Sequence, residues 1–156
     1  MEGIMDEQTN IALLRQAYDA YSKGDIQRVM GMFAQDIEWD MPEVEGIPFS
    51  GKRHGIGQVG EFFRLMDECQ EAREFTPDQF IARGDQVIVL GHCTFAVRTT
   101  GLEYSDEWCH VFTVKAGKVT SFKEYSDTHK AAQAFMVKGA GVGAAAGAGT
   151  SRPAIH

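Results

Sequence analysis

The sequence predicts an α+β fold: a helix-filled cone formed by a curved antiparallel sheet and open at one end. Three observations carry this. Helix-period apolar spacing dominates the first part of the chain, whereas period-2 alternation dominates residues 71–126. Helices that precede strands, rather than alternating with them, point away from a parallel α/β sheet. The strands are joined by short turns, Gly84-Asp85 and Lys115-Ala116-Gly117-Lys118, which suit antiparallel hairpins. Such a cone has the shape of a small-molecule site.

Taken in order, residues 1–8 read as a frayed end. A helix is expected over Thr9–Lys23, with Ile11, Leu14, Tyr18 and Tyr21 on one face. Gly24 stops it, because glycine takes the left-handed conformation without strain. Asp25 then caps a second helix over 26–34, with Ile26, Val29, Met30 and Phe33 as its buried stripe. A short strand is expected over Ile37–Met41, with Trp39 and Met41 on one face and Glu38 and Asp40 on the other. Pro42 ends it, and 42–53 reads as a loop. A third helix covers about 55–68, turning Ile56, Val59, Phe62, Phe63 and Met66 inward. Strands follow over about 71–82, broken near Pro77, then 86–98, 103–114 and 117–126. A short helix over 129–137 closes the domain, which spans 9–138. The Gly/Ala-rich stretch 139–156 cannot bury enough apolar surface to order itself and reads as a disordered tail.

The totals set bounds. The 156 residues suit one domain, and a hydrophobic share of 44% supplies a core. A net charge of -7 offers no basic stripe for a nucleic acid. No apolar run is long enough to span a membrane, and the acidic start MEGIMDEQTN lacks the apolar segment of a secretory signal. Cys69, Cys93 and Cys109 are odd in number and scattered, which does not read as a disulfide framework. A reduced, cytoplasmic protein is expected.

Several motifs carry little. Gly55-Ile-Gly57-Gln-Val-Gly60 has dinucleotide-loop spacing, but a loop precedes it and antiparallel strands follow, so small residues for close packing are the better reading. No metal is expected: the adjacent pairs His92-Cys93 and Cys109-His110 point to opposite sheet faces and cannot share one ion. An inward Cys93 could approach His110, yet a small buried hydrophobe is its ordinary role.

Acid–base chemistry remains. Tyr104, Asp106, Trp108, His110, Phe112 and Val114 share one strand face. If Phe112 and Phe122 both point inward, the hairpin register sets His110 opposite Glu124. A carboxylate beside an imidazole orients the ring and suits it to move a substrate proton. The alternative is a structural His–Glu hydrogen bond in a core. Asp127, just past the strand, reads as a helix-capping residue. Tyr18, Tyr21, Trp39, Met41, Phe62, Phe95, Val97, Trp108 and Phe122 are the expected substrate-binding wall for a small apolar or polycyclic molecule, and each of them also suits a plain core.

Several runs resemble the NTF2-like superfamily, and within it the SnoaL-like and ketosteroid-isomerase-like branch. They are Tyr21-Ser-Lys-Gly24-Asp25, Met32-Phe33-Ala34-Gln35-Asp36, Phe49-Ser-Gly51, Glu61-Phe62-Phe63, Gly117-Lys118-Val119 and Glu124-Tyr125-Ser126-Asp127. The resemblance covers about 9–135 and implies the cystatin-like α+β barrel of that superfamily. It also implies a homodimer through the outer sheet face, where Cys109, Val111 and Thr113 lie. Isomerases, cyclases, dehydratases, hydrolases and non-catalytic binding modules share the fold. None of these chemistries requires a cofactor, and none is expected. The isomerase base falls on Met41, the helix-one tyrosine on Ala17 (with Tyr18 its neighbour), and the oxyanion-binding acid on His110. Glu124 matches the acid on the last strand of epoxide-hydrolase members. The resemblance thus implies a pocket whose chemistry centres on His110 and Glu124, without the isomerase base and tyrosine.

Overall fold

The computed structural model describes residues 2–144, with side chains described for 6–136. Helix α1 runs Glu2–Ser22, and α2 Ile26–Met30. Strands β1, Phe33–Asp40, and β2, Lys52–His54, lead into α3, Gly55–Cys69. Strands β3, Gln70–Arg83, β4, Gln86–Val97, β5, Glu103–Lys115, and β6, Lys118–Ser126, follow, and α4 spans Thr128–Ala144. The six strands form one unclosed sheet in the order β2-β1-β6-β5-β4-β3. Helices α1 and α3 pack on its concave side and enclose the core, as the α+β prediction requires.

Four boundaries differ from the sequence reading. Helix α1 begins at Glu2, and the Glu7 carboxylate accepts the Gly84 N–H at 2.7 Å, tying this end to the β3–β4 turn. The second helix stops at Met30, because the chain turns at Gly31 and Phe33 enters β1. Strand β2 lies inside the segment read as a loop; its three polar residues carry no alternating apolar signal, yet they pair antiparallel with Glu38–Asp40. Helix α4 continues to Ala144, past the expected end of the domain, and residues 145–156 of the expected tail lie outside the described residues.

The sheet is mixed at one position. Strand β1 pairs parallel with β6, with Trp39 beside Phe122, and the register shifts between Phe33 and Glu38. The other pairs are antiparallel. Pro77 does not break its strand. It sits on edge strand β3 at a register shift between Pro77 and Gln79, the setting in which a sheet tolerates a residue without an N–H. The β5–β6 turn is a two-residue loop, Ala116-Gly117, both with positive φ (52° and 76°). That is the type I′ signature, which matches strand twist, and the register it starts shifts by one residue between Thr113 and Val114.

The glycine-rich stretch packs rather than binds. A strand, β2, does precede Gly55, but it belongs to an antiparallel pair. A Cβ on Gly60 would stand 3.3 Å from Met30 Cε, so the missing side chain makes room for α2 rather than for the sheet. Among the described residues, no helix is long and apolar enough to cross a membrane.

Candidate active site

A cavity of about 130 Å³ lies between the concave sheet face, α1, α3, the 42–50 loop and the start of α4. Its wall is built by period 2. Along β5 every second residue from Tyr104 to Val114 is buried, which turns Asp106, Trp108 and His110 inward. Across the hairpin the register sets His110 opposite Glu124 and Phe112 opposite Phe122. His110 Nε2 lies 2.9 Å from Glu124 Oε1, with the imidazole side chain only 7% exposed.

The other ring nitrogen is also engaged. The Tyr18 hydroxyl lies 2.7 Å from His110 Nδ1. An ionised Glu124 can only accept, so Nε2 carries a hydrogen and donates to it. In the neutral ring Nδ1 is then an acceptor, and the Tyr18 hydroxyl donates to it. The Ser126 hydroxyl donates to the second Glu124 oxygen at 3.1 Å. Burial, then the nearby Glu124, pushes the Tyr18 phenol well above its usual range, so it stays a hydrogen-bond donor. The imidazole stacks on Trp108 at 4.1 Å between centroids, and Trp108 stacks on Phe75 at 4.8 Å. These flat contacts hold the ring plane.

Nearly all the expected wall residues line the cavity: Tyr18, Tyr21, Trp39, Met41, Phe62, Phe95, Trp108 and Phe122, together with His110 and Glu124. Val97 does not. It is buried at the end of β4, paired with Gln70, and packs in the core without lining the cavity. The resemblance sets the helix-one tyrosine position on Ala17. Its neighbour Tyr18 reaches His110 from the same helix. Cys93 does not approach His110 across the sheet, because Val89 is the residue paired with His110 and Asp106 the one paired with Cys93. Burial pushes the Cys93 thiol up to about 12, which leaves it an uncharged thiol rather than a nucleophile. Asp127 caps α4, accepting the His129 N–H at 3.1 Å.

Asp106 was visible on the inward strand face but not singled out as a site residue. A carboxylate among inward aromatics was the signal. Its two oxygens accept the Asp127 N–H at 3.2 and 3.0 Å, and the residue lines the cavity. Burial, the main cause, raises its carboxyl from 3.8 to about 6 against the lowering effect of backbone N–H donors from Asp127 and Glu107. A raised acid binds its proton more tightly in the folded state. The stability this contributes is therefore full below pH 3.8 and is lost as pH climbs through about 6. Asp106→Asn keeps an acceptor for Asp127 without the charge. Its melting temperature should exceed the parent's at pH 7.5, with the gap closing by pH 4. Equal gaps at both pH values would count against this assignment.

Elsewhere on the outer face, His92 is held between Asp78 at 2.7 Å and Glu74 at 2.9 Å, an exposed arrangement away from the cavity. Among the described residues, no group of three or more His, Cys, Asp or Glu side chains is placed to hold a metal ion.

The fold and this inward-facing cavity define a class of small-ligand domains, and sequence and structure comparisons name it. Residues 14–122 match the family model described as the SnoaL-like domain. The chain belongs to this family, within the NTF2-like superfamily. An NTF2-like protein from Burkholderia xenovorans LB400 is 31% identical, with a TM-score of 0.75 over 83% of this chain and 97% of its own. An NTF2-like protein of unknown function from Burkholderia pseudomallei K96243 is 26% identical, with a TM-score of 0.74 over 81% of this chain and 97% of its own. TerC, co-crystallised with polyporic acid, is 26% identical, with a TM-score of 0.71 over 81% of this chain and 98% of its own. No curated protein shows significant sequence similarity to the chain.

Proposed function

We propose that the cavity binds a small, largely apolar molecule and performs cofactor-independent acid–base chemistry on it. The observation that carries this is the unbroken chain Tyr18 hydroxyl, His110 imidazole, Glu124 carboxylate at the cavity wall. A ligand hydroxyl or enol would give its proton to the Tyr18 oxygen while Tyr18 passes its own to His110 Nδ1. Glu124 then stabilises the imidazolium through Nε2–H. Run in reverse, the same chain protonates a ligand oxygen. Isomerase, cyclase, dehydratase and hydrolase reactions all use such a step.

Two further features support an oxygen-bearing ligand. The indole N–H groups of Trp39 and Trp108 are buried, belong to wall residues and have no hydrogen-bond partner among the described residues. Buried donors without partners are uncommon and costly, and an acceptor on a ligand offsets that cost. The cavity volume of about 130 Å³ resembles that of an engineered cavity of about 150 Å³ that holds benzene, which favours one ring over a polycyclic body.

Met41 favours a second reading, a ligand-binding module without turnover. It is buried in the wall where the isomerase resemblance expects a carboxylate base. Dimerisation through the outer sheet face fits either reading, with Cys109, Val111 and Thr113 half-buried on that face of β5. Only monomers in light scattering would remove it.

The test is a thermal-shift screen of ketones, epoxides and aromatic ligands. A ligand that binds only the folded state raises the melting temperature, by about 2.7 kcal/mol of stability at a hundredfold excess over Kd. Single-ring oxygenated ligands should give the largest shifts. Uniform indifference to every apolar ligand would sink the cavity reading.

A further inference from the structure

We propose that the cavity's ligand carries a protonated amine beside its flat apolar body, with Asp106 as the counter-ion. The proposal rests on the cavity reading above and adds the charge class of the ligand. The wall holds two carboxylic acids, Asp106 and Glu124, and among the described residues no Lys or Arg lines it. Glu124 has partners in His110 and Ser126. Asp106 has only backbone N–H groups, from Asp127 and Glu107, for its side-chain oxygens, and no side-chain donor among the described residues. An ionised carboxylate so enclosed lacks a countercharge, and burial without one is unfavourable. Its raised proton affinity is the visible consequence. An ammonium at this spot would supply the missing charge.

The surroundings suit a cation in a second way. Tyr104 and Trp108 flank Asp106 on the same inward strand face, two residues to either side. Aromatic faces attract a desolvated ammonium through their quadrupole. The geometry also fits one molecule spanning both polar poles. Asp106 and His110 are four residues apart on β5, about 13 Å between Cα atoms at strand rise. Inward side chains stand roughly perpendicular to the sheet and leave that span open along the strand. The proposed ligand, one ring with a two-carbon arm, lies along it with its oxygen toward Tyr18 and its amine toward Asp106, past Trp108.

Three probes of near-equal shape separate the charge classes: tyramine, tyrosol and 4-hydroxyphenylacetate. Isothermal titration at pH 7.5 should show tyramine binding at least about tenfold more tightly than the acid, with tyrosol between. Asp106→Asn should cut the preference for tyramine over 4-hydroxyphenylacetate to less than about threefold. Equal or tighter binding of 4-hydroxyphenylacetate by the parent protein would overturn the amine assignment and leave the cavity reading intact. A tyramine preference that survives Asp106→Asn would overturn the role of Asp106. Failure of all three to bind would overturn this proposal, while the broader ligand screen decides the cavity reading.

Discussion

Gly91→Ala is expected to destabilise the protein by about 3 kcal/mol, lowering the melting temperature by roughly 6–12 °C for a domain of this size. Gly91 lies inside β4, paired with Trp108 on β5 and Pro77 on β3. A Cβ there would overlap the Trp108 Cζ2 and Cη2 atoms and stand 2.5 Å from the Thr76 carbonyl oxygen. Neither neighbour can yield cheaply. Thr76 contributes backbone in a paired strand. Trp108 is clamped in a stack with His110, Phe75 and Tyr18. Displacing the indole also disturbs the His110 ring plane, so ligand affinity should fall with stability. Glycine in a strand interior often marks such a close approach. Chemical denaturation of the parent and the variant measures the effect; a change within 0.5 kcal/mol, the usual range for surface substitutions, would contradict the packing described.

Breaking the proton chain should cost turnover far more than stability. On a substrate identified by the ligand screen, His110→Ala is expected to lose about 10²–10⁴-fold in kcat, the range general acid–base groups supply. Glu124→Gln should fall in the same direction, since the amide leaves the imidazolium without a counter-charge. Tyr18→Phe should lose turnover as well, and the Tyr18→Phe, His110→Ala double variant should be little worse than the worse single one. Residues that act as a unit show this non-additivity. Parent-level turnover in both His110→Ala and Glu124→Gln would overturn the assignment of the chemistry to this pair, whereas binding with no turnover by the parent protein would leave the second reading.

The His110–Glu124 pairing was legible in the sequence from the inward aromatics rather than from the turn. Period 2 decides which residues turn inward, and the two-residue turn alone would set His110 opposite Lys123; a shift between Thr113 and Val114 restores the pairing in which both phenylalanines face in. Once Phe112 and Phe122 are both inward, the register follows, and the structure pairs those residues as expected. The Tyr18 contact was not legible in the same way. It joins residues 92 positions apart, and its existence depends on how α1 lies across the sheet, which no local pattern states. A family-derived offset placed the tyrosine position on Ala17, one residue away. On a helix that is about 100° of rotation, so the offset did not point to the residue that bonds His110. The parallel β1–β6 pair escaped for a similar reason, since a strand's own alternation is silent about its distant neighbour. Strand β2 is too short and too polar to announce itself. Asp106 shows the opposite case: its inward direction was plain, but its setting emerged only with a largely aromatic enclosure that no Lys or Arg lines among the described residues.

The proton positions on His110 test the central assignment most directly. A long-range ¹H–¹⁵N correlation spectrum of the imidazoles reports which ring nitrogen carries hydrogen. In the neutral ring, Nε2 of His110 should be protonated and Nδ1 bare, with Nδ1 accepting from Tyr18. Tyr18→Phe should shift the Nδ1 signal, and a saturating cavity ligand should move it again. An Nδ1–H tautomer, or a His110 signal indifferent both to Tyr18→Phe and to a bound ligand, would contradict the Tyr18–His110–Glu124 chain as the proton-handling site of this protein.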